Sequence, residues 1–183
     1  MAYELAKTKA FLGIKKVSAE KQFRLAFMAD EYEVNMENET VLSVSCNAAA
    51  PDHIVLLLLH YLKKKIEGLP RLQNEWINFR QLQGGDGYYP VFYKRVIEPV
   101  KKKYGNSVEG FLAGMEKFNA RKSDYGQNSV IIEPFERVPV LVALWPKTEE
   151  FSSEANVLFD RSIERILDTE NVVILAEVIA HFM

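Results

Sequence analysis

The residues best suited to chemistry lie late in the chain, where Trp145, Glu149, Glu150, Phe151 and Asp160 gather carboxylates around aromatic rings. Paired carboxylates beside an aromatic ring can hold a divalent ion or a cationic ligand, or divide acid and base roles. Trp145 closes an apolar run, and a ring with one polar edge suits a pocket wall. The plainer reading places Glu149 and Glu150 in a solvated loop and Trp145 in the core. It weighs more, because a motif needs its structural context. Asp168 and Glu170 are explained as carboxylates at the positive end of the last helix. Asp160, after Leu158-Phe159 at a strand end, has no such local duty. The candidate ligand-binding residues are therefore Trp145, Glu149, Glu150 and Asp160, with no metal set and no cofactor assigned.

Other suggestive patterns resolve into structure. Gly84-Gly85-Asp86-Gly87 precedes a helix, where free N–H groups could meet an anion. Its spacing is neither that of a dinucleotide site nor that of a P-loop, so a glycine turn explains it. His53 and His60 are seven residues apart on about one helix face, whereas a zinc pair wants a spacing of four. His60 among leucines reads as a hydrogen-bonded core residue and His53 as a first-turn residue. The lysine triplets at 63–65 and 101–103 fall at expected helix C-termini, where the dipole favours cations. With 23 basic against 25 acidic residues and a net charge of −2, nothing draws the chain to nucleic acid. Its one cysteine, Cys46, cannot make an internal disulfide or a self-contained iron–sulfur cluster. The N-terminal MAYELAKTKAFLGIKK has no apolar signal core, so the expected location is the cytoplasm.

The element that must position these residues is Pro51 to Gly68, PDHIVLLLLHYLKKKIEG. Pro51 suits a first helical position and Gly68 the residue just past a helix end. Four consecutive leucines wrap around a helix, so this one should be buried on most sides. Its apolar run is far shorter than the roughly 20 residues of a membrane span. Upstream, Ala2 to Ile14 reads as a short helix. Phe23, Leu25 and Phe27, then Tyr32, Val34 and Met36, then Val41 to Ser45, alternate as an antiparallel meander with one buried face. The Pro51 helix follows at once and can cover it.

Downstream, Trp76 to Phe79 suits a short strand or an ordered loop, and a helix is expected from about Tyr89-Pro90 to Tyr104-Gly105, bent or interrupted at Pro99. Ser107 should cap a further helix. Val130-Ile131-Ile132 and Val138 to Trp145 read as strands, with Pro139 at a sheet edge or within the first residues of its strand. Ala155 to Asp160 adds another strand, and Asp168 caps a last amphipathic helix. Strands, helices, strands and a final helix give the α+β order. The expected architecture is a single domain over residues 1–183, with a mostly antiparallel sheet and helices packed on one face around the Pro51 helix.

Pro139, Leu141, Trp145, Glu149-Glu150-Phe151, Leu158-Phe159-Asp160, Leu167 and Glu170 resemble the C-terminal signature of a bacterial and archaeal family known only as a domain of unknown function. Leu57 to Leu62, Trp76 to Arg80, Gly84-Gly85 and Tyr88-Tyr89 agree with it upstream. The resemblance implies a setting in anaerobic metabolism, conceivably corrinoid or one-carbon chemistry. Some relatives carry an iron–sulfur domain, whose cysteines this chain lacks. Where such families show Asp before the paired glutamates, this chain has Lys147-Thr148. Three functions are weighed: a non-enzymatic domain binding a small molecule or partner protein, an enzyme working through Glu149, Glu150 or Asp160, and a dimerisation module using a sheet edge near Pro139. The first is preferred, with no membrane or nucleic-acid partner and with a homodimer left open.

Overall fold

The computed structural model describes residues 2–183. After helix α1 (Ala2–Lys15), alternating apolar residues build strands β1 (Gln22–Phe27), β2 (Asp30–Asn35) and β3 (Thr40–Ser43), with the two-residue β4 (Ala48–Ala49) at one edge. All neighbours are antiparallel, in registers such as Phe23↔Val34 and Val34↔Val41. Leu25, Phe27, Val34 and Val41 are buried. On the other face Arg24 lies near Glu31 and Glu33 across the strands, at 3.5 and 3.7 Å. Side chains alternate along a strand, so one face of this meander must find a cover.

Helix α2 (Asp52–Glu67) supplies it. Leu57, Leu58 and Leu59 are each 0% exposed. Three successive residues span most of a helical circumference, so α2 is enclosed on nearly every side. Pro51 stands one position earlier than the sequence suggests, as the extended residue before the helix (φ −58°, ψ 148°), with its carbonyl accepting from the Val55 amide. Gly68 ends the helix at φ 107°, a conformation open to a residue without Cβ. α1 docks alongside through Phe11 and Ile14, and Lys7 reaches Asp52 at 2.8 Å.

The middle of the chain is helical from α3 (Gly85–Phe92) through a π-helical turn (Tyr93–Ile97) into α4 (Glu98–Tyr104). It starts four residues before the expected Tyr89, where Gly84 turns the chain at φ 74°, and Pro90 lies inside it without ending it. Pro99 does not stop it. Proline has no N–H for the carbonyl of Arg95, four residues back, and the wide turn, in which the Glu98 amide bonds Tyr93, falls at that place. Ser107 caps α5 (Val108–Glu116) as expected, accepting from the Gly110 amide.

The later strands form a second, separate antiparallel sheet. Its order is β5 (Trp76–Asn78), β9 (Glu154–Asp160), β8 (Val138–Trp145), β7 (Ser129–Phe135), β6 (Arg121–Lys122). The α+β class holds, but the expected single sheet is two. They touch at a corner where the Met28 amide donates to the Pro134 carbonyl. Pro134 has no N–H to return and Met28 is at φ 56°, so the ladder stops there. Pro139 falls in the irregular register between Ile132 and Phe135 on β8, an interior strand. It is the second residue of β8, as the second of its two expected placements has it, and no open edge lies at Pro139 for a dimer to use. One continuous core joins α1, α2, both sheets and the last helix, α6 (Thr169–Phe182). Ile131, Leu141, Ala143 and Leu158 form a small cluster on the far face of the second sheet, which no helix residue joins. Among the described residues no helix is long and apolar enough to cross a membrane.

Candidate functional site

The four residues chosen from sequence do not converge. Trp145 ends β8 opposite Glu154, and Asp160 lies at the other end of β9, six residues along. At about 3.3 Å per residue the two are roughly 20 Å apart. Trp145 is 44% exposed, and Glu149 and Glu150 lie exposed in the loop that follows. That loop is held by the Phe151 amide, which donates to Thr148 Oγ1 at 3.0 Å.

Asp160 has the structural duty that the sequence concealed. It is 3% exposed. Its Oδ1 accepts from the amides of Gln73 and Ser162, at 3.0 and 2.9 Å, and its Oδ2 from that of Asn74 at 2.7 Å. Burial raises the carboxyl pKa, but the hydrogen bonds from Ser162, Gln73 and Asn74 outweigh it and hold Asp160 below the usual carboxylate range. The group clamps β9 to the loop before β5 and caps the 3-10 turn Arg161–Arg165.

A different place has the shape of a site. On α6, Val172, Leu175, Ala176 and Ile179 recur at helical spacing and are buried in the core. The adjacent stripe, Ile174, Glu177, Val178 and His181, has the same spacing and forms one wall of a groove. The first turn of α2 brings His53 and Ile54 to this groove, and β1 and β2 contribute Phe27 and Tyr32, with ring centroids 6.1 Å apart. The groove encloses about 660 Å³, within the range of roughly 300–1,000 Å³ typical of small-molecule sites. It runs into a recess of about 450 Å³ beside Gln83, Gly84, Tyr88 and Thr169. His53, Arg95, Ile174 and Glu177 line both and form the waist between them. The Thr169 hydroxyl donates to the Gln83 carbonyl at 2.8 Å and so ties α6 to the Gly84 turn.

Arg95 stands in the π-helical turn, between the buried Val96 and the preceding solvent-facing Lys94. Its Nη1 donates to Glu177 Oε1 at 3.1 Å. With the Arg95 side chain 55% exposed, such a pair contributes only about 0–1 kcal/mol to stability. π-helical turns are frequent at functional sites, because the extra residue re-aims side chains. Among the described residues no group of three or more His, Cys, Asp or Glu is arranged to hold a metal ion.

Sequence reasoning passed over Arg95, Glu177 and His181, and set His53 aside as a first-turn residue. Glu177 and His181 are four apart on one helix, which is visible in the sequence, but their meeting with Arg95 is not. His60 is hydrogen-bonded as expected, accepting at Nδ1 from Asn171 Nδ2 at 2.7 Å, but it is half-buried at the edge of α2 and not in the core. The lysine triplets include ion-paired members: Lys65 with Glu136 at 2.8 Å and Lys101 with Glu154 at 3.0 Å.

Residues 4–182 match the model of a family described as a domain of unknown function, DUF3786. No curated protein and no solved structure matches the chain.

Proposed function

The chain belongs to the DUF3786 family, a domain of unknown function, and we propose that it is a binding domain whose small-molecule ligand occupies the groove between α2 and α6. The observation that carries this reading is the Arg95–Glu177 pair at the waist shared by the two recesses. Ligand sites are largely apolar concavities with a few placed polar groups, and this groove has that composition. The setting implied by the family resemblance, anaerobic metabolism in the cytoplasm, is part of the proposal. The exposed free thiol of Cys46 accords with a reducing compartment.

A fragment screen by ligand-observed NMR tests it, repeated on Ile174→Trp, which fills the waist. Binders whose signals are lost in the variant support the groove. Binders unaffected by the variant, or none at all, overturn it.

A second reading, a homodimer, draws on the far face of the second sheet. The cluster itself is buried within the chain, but Trp145, two residues beyond Ala143 on the same face of β8, is exposed beside it, and Trp76 packs against the cluster half-buried. Arg121, opposite Ile131, and Glu133, two residues beyond it, give that face both charge signs, as a self-complementary interface requires. Light scattering decides: a dimer dispersed by Trp145→Glu favours this reading, and a monomer at every concentration removes it.

A further inference from the structure

We infer that the groove is built for an amphiphilic monocarboxylate, its apolar body between α2 and α6 and its carboxylate at Arg95; this rests on the groove being a ligand site. The branch beyond the waist is lined by Phe27, Pro51, Ile54, Pro99, Val178 and Phe182, with the Tyr32 hydroxyl the polar group among them. Most of that surface offers a ligand no hydrogen bond, so what enters must be largely apolar.

The waist sets the charge of the head group. Arg95 and His53 bear N–H groups there, with His181 further along the groove wall, against the single carboxylate of Glu177. An imidazole keeps one N–H donor in either neutral tautomer, and a guanidinium has five. Arg95 gives only Nη1 to Glu177, which leaves most of its planar fork free. That fork matches a carboxylate through two parallel N–H···O bonds. A cationic head would meet Arg95 and find Glu177 already balanced. A dianion would be repelled by Glu177 and by Glu170 at the far recess. A planar monoanion satisfies the free donors with the least repulsion.

The charge assignment also gives Glu177 a distinct role. It competes with the ligand for Arg95, so it lowers affinity while it holds the guanidinium at the waist.

Titration calorimetry with decanoate, 1-decanol and decylamine tests the inference. Decanoate should bind at least 10-fold more tightly than decanol, and decylamine more weakly than either. Arg95→Gln should reduce decanoate to about the level of decanol, weakening decanoate far more than decanol. Glu177→Gln should tighten decanoate binding several-fold, an effect that a merely structural role would not produce. Circular dichroism confirms that both variants keep the fold. Equal binding of decanoate and decanol, or indifference to Arg95→Gln, overturns the carboxylate assignment while leaving the groove as an apolar site. Absence of binding by all three also overturns the assignment, and the fragment screen with Ile174→Trp then judges the groove separately.

Discussion

The ring of Tyr61 in α2 lies on that of Phe135 at the end of β7, with centroids 4.1 Å apart and planes 15° from parallel. Phe27 of β1 stacks on Phe135 as well, at 4.5 Å. The Tyr61 hydroxyl donates to the Glu136 carbonyl at 3.0 Å. Burial, reinforced by the nearby Glu136 and Glu133 charges, raises the phenol pKa, so Tyr61 stays protonated as a donor. This stack seals the corner where the two sheets meet by one backbone hydrogen bond.

Removing its middle ring should therefore cost more than removing its hydroxyl. Phe135→Ala is expected to destabilise the protein by about 3–5 kcal/mol, and Tyr61→Phe by about 0.5–1.5 kcal/mol. Urea denaturation measures both, and a Phe135→Ala loss no greater than that of Tyr61→Phe would deny the stack its role.

Leu58 is 0% exposed within a core that joins both sheets. Leu58→Asp buries a charge with no partner, which costs several kcal/mol beyond the lost packing. Both sheets should be lost together, with no cooperative transition left in circular dichroism. A variant in which the meander melts and the second sheet stays folded would contradict this.

At neutral pH, Asp160→Asn should cost about 1.5–3 kcal/mol, because the carboxylate accepts charge-assisted bonds that an amide cannot reproduce. The acid dependence has a definite sign. The folded pKa of Asp160 is depressed, so its contribution is complete above the unfolded value of about 3.9 and is lost as pH falls through the lower folded value. The stability gap between wild type and Asp160→Asn should therefore narrow below about pH 4. Denaturation midpoints at pH 7 and in acid check it, and a gap that widens in acid would refute the clamp.

Asp168 Oδ1 accepts from both the amide and the side chain of Asn171, at 2.8 and 2.7 Å. Asp168→Ala removes this cap from α6 and should cost about 0.5–2 kcal/mol, read from the thermal midpoint. Glu170→Gln, two residues along in the first turn of α6 and without a cap bond of its own, should change stability by less than half as much.

The local parts of this fold are legible in the amino-acid order, and the meeting points are not. The apolar run at Leu56 to Leu59, the alternation from Phe23 to Val34 and the caps Ser107 and Asp168 each follow from neighbours within a few residues. Trp145, Glu149, Glu150 and Asp160 looked like one site because they are close in sequence, yet a strand carries Asp160 to the opposite end of its sheet. Arg95 and Glu177 are 82 positions apart, and no periodicity links them. The two sheets meet at Met28 and Pro134, and apolar alternation alone does not show where one sheet ends and the other begins.

The groove takes its walls from Phe27 at one extreme and Phe182 at the other. Its lining comes from the meander, the start of α2, Arg95, Pro99 and α6. Occupancy of that groove would thus serve as an assay of docking: a probe retained there reports that the meander, α2 and α6 have met, which local spectroscopic signals from any one helix or strand cannot do.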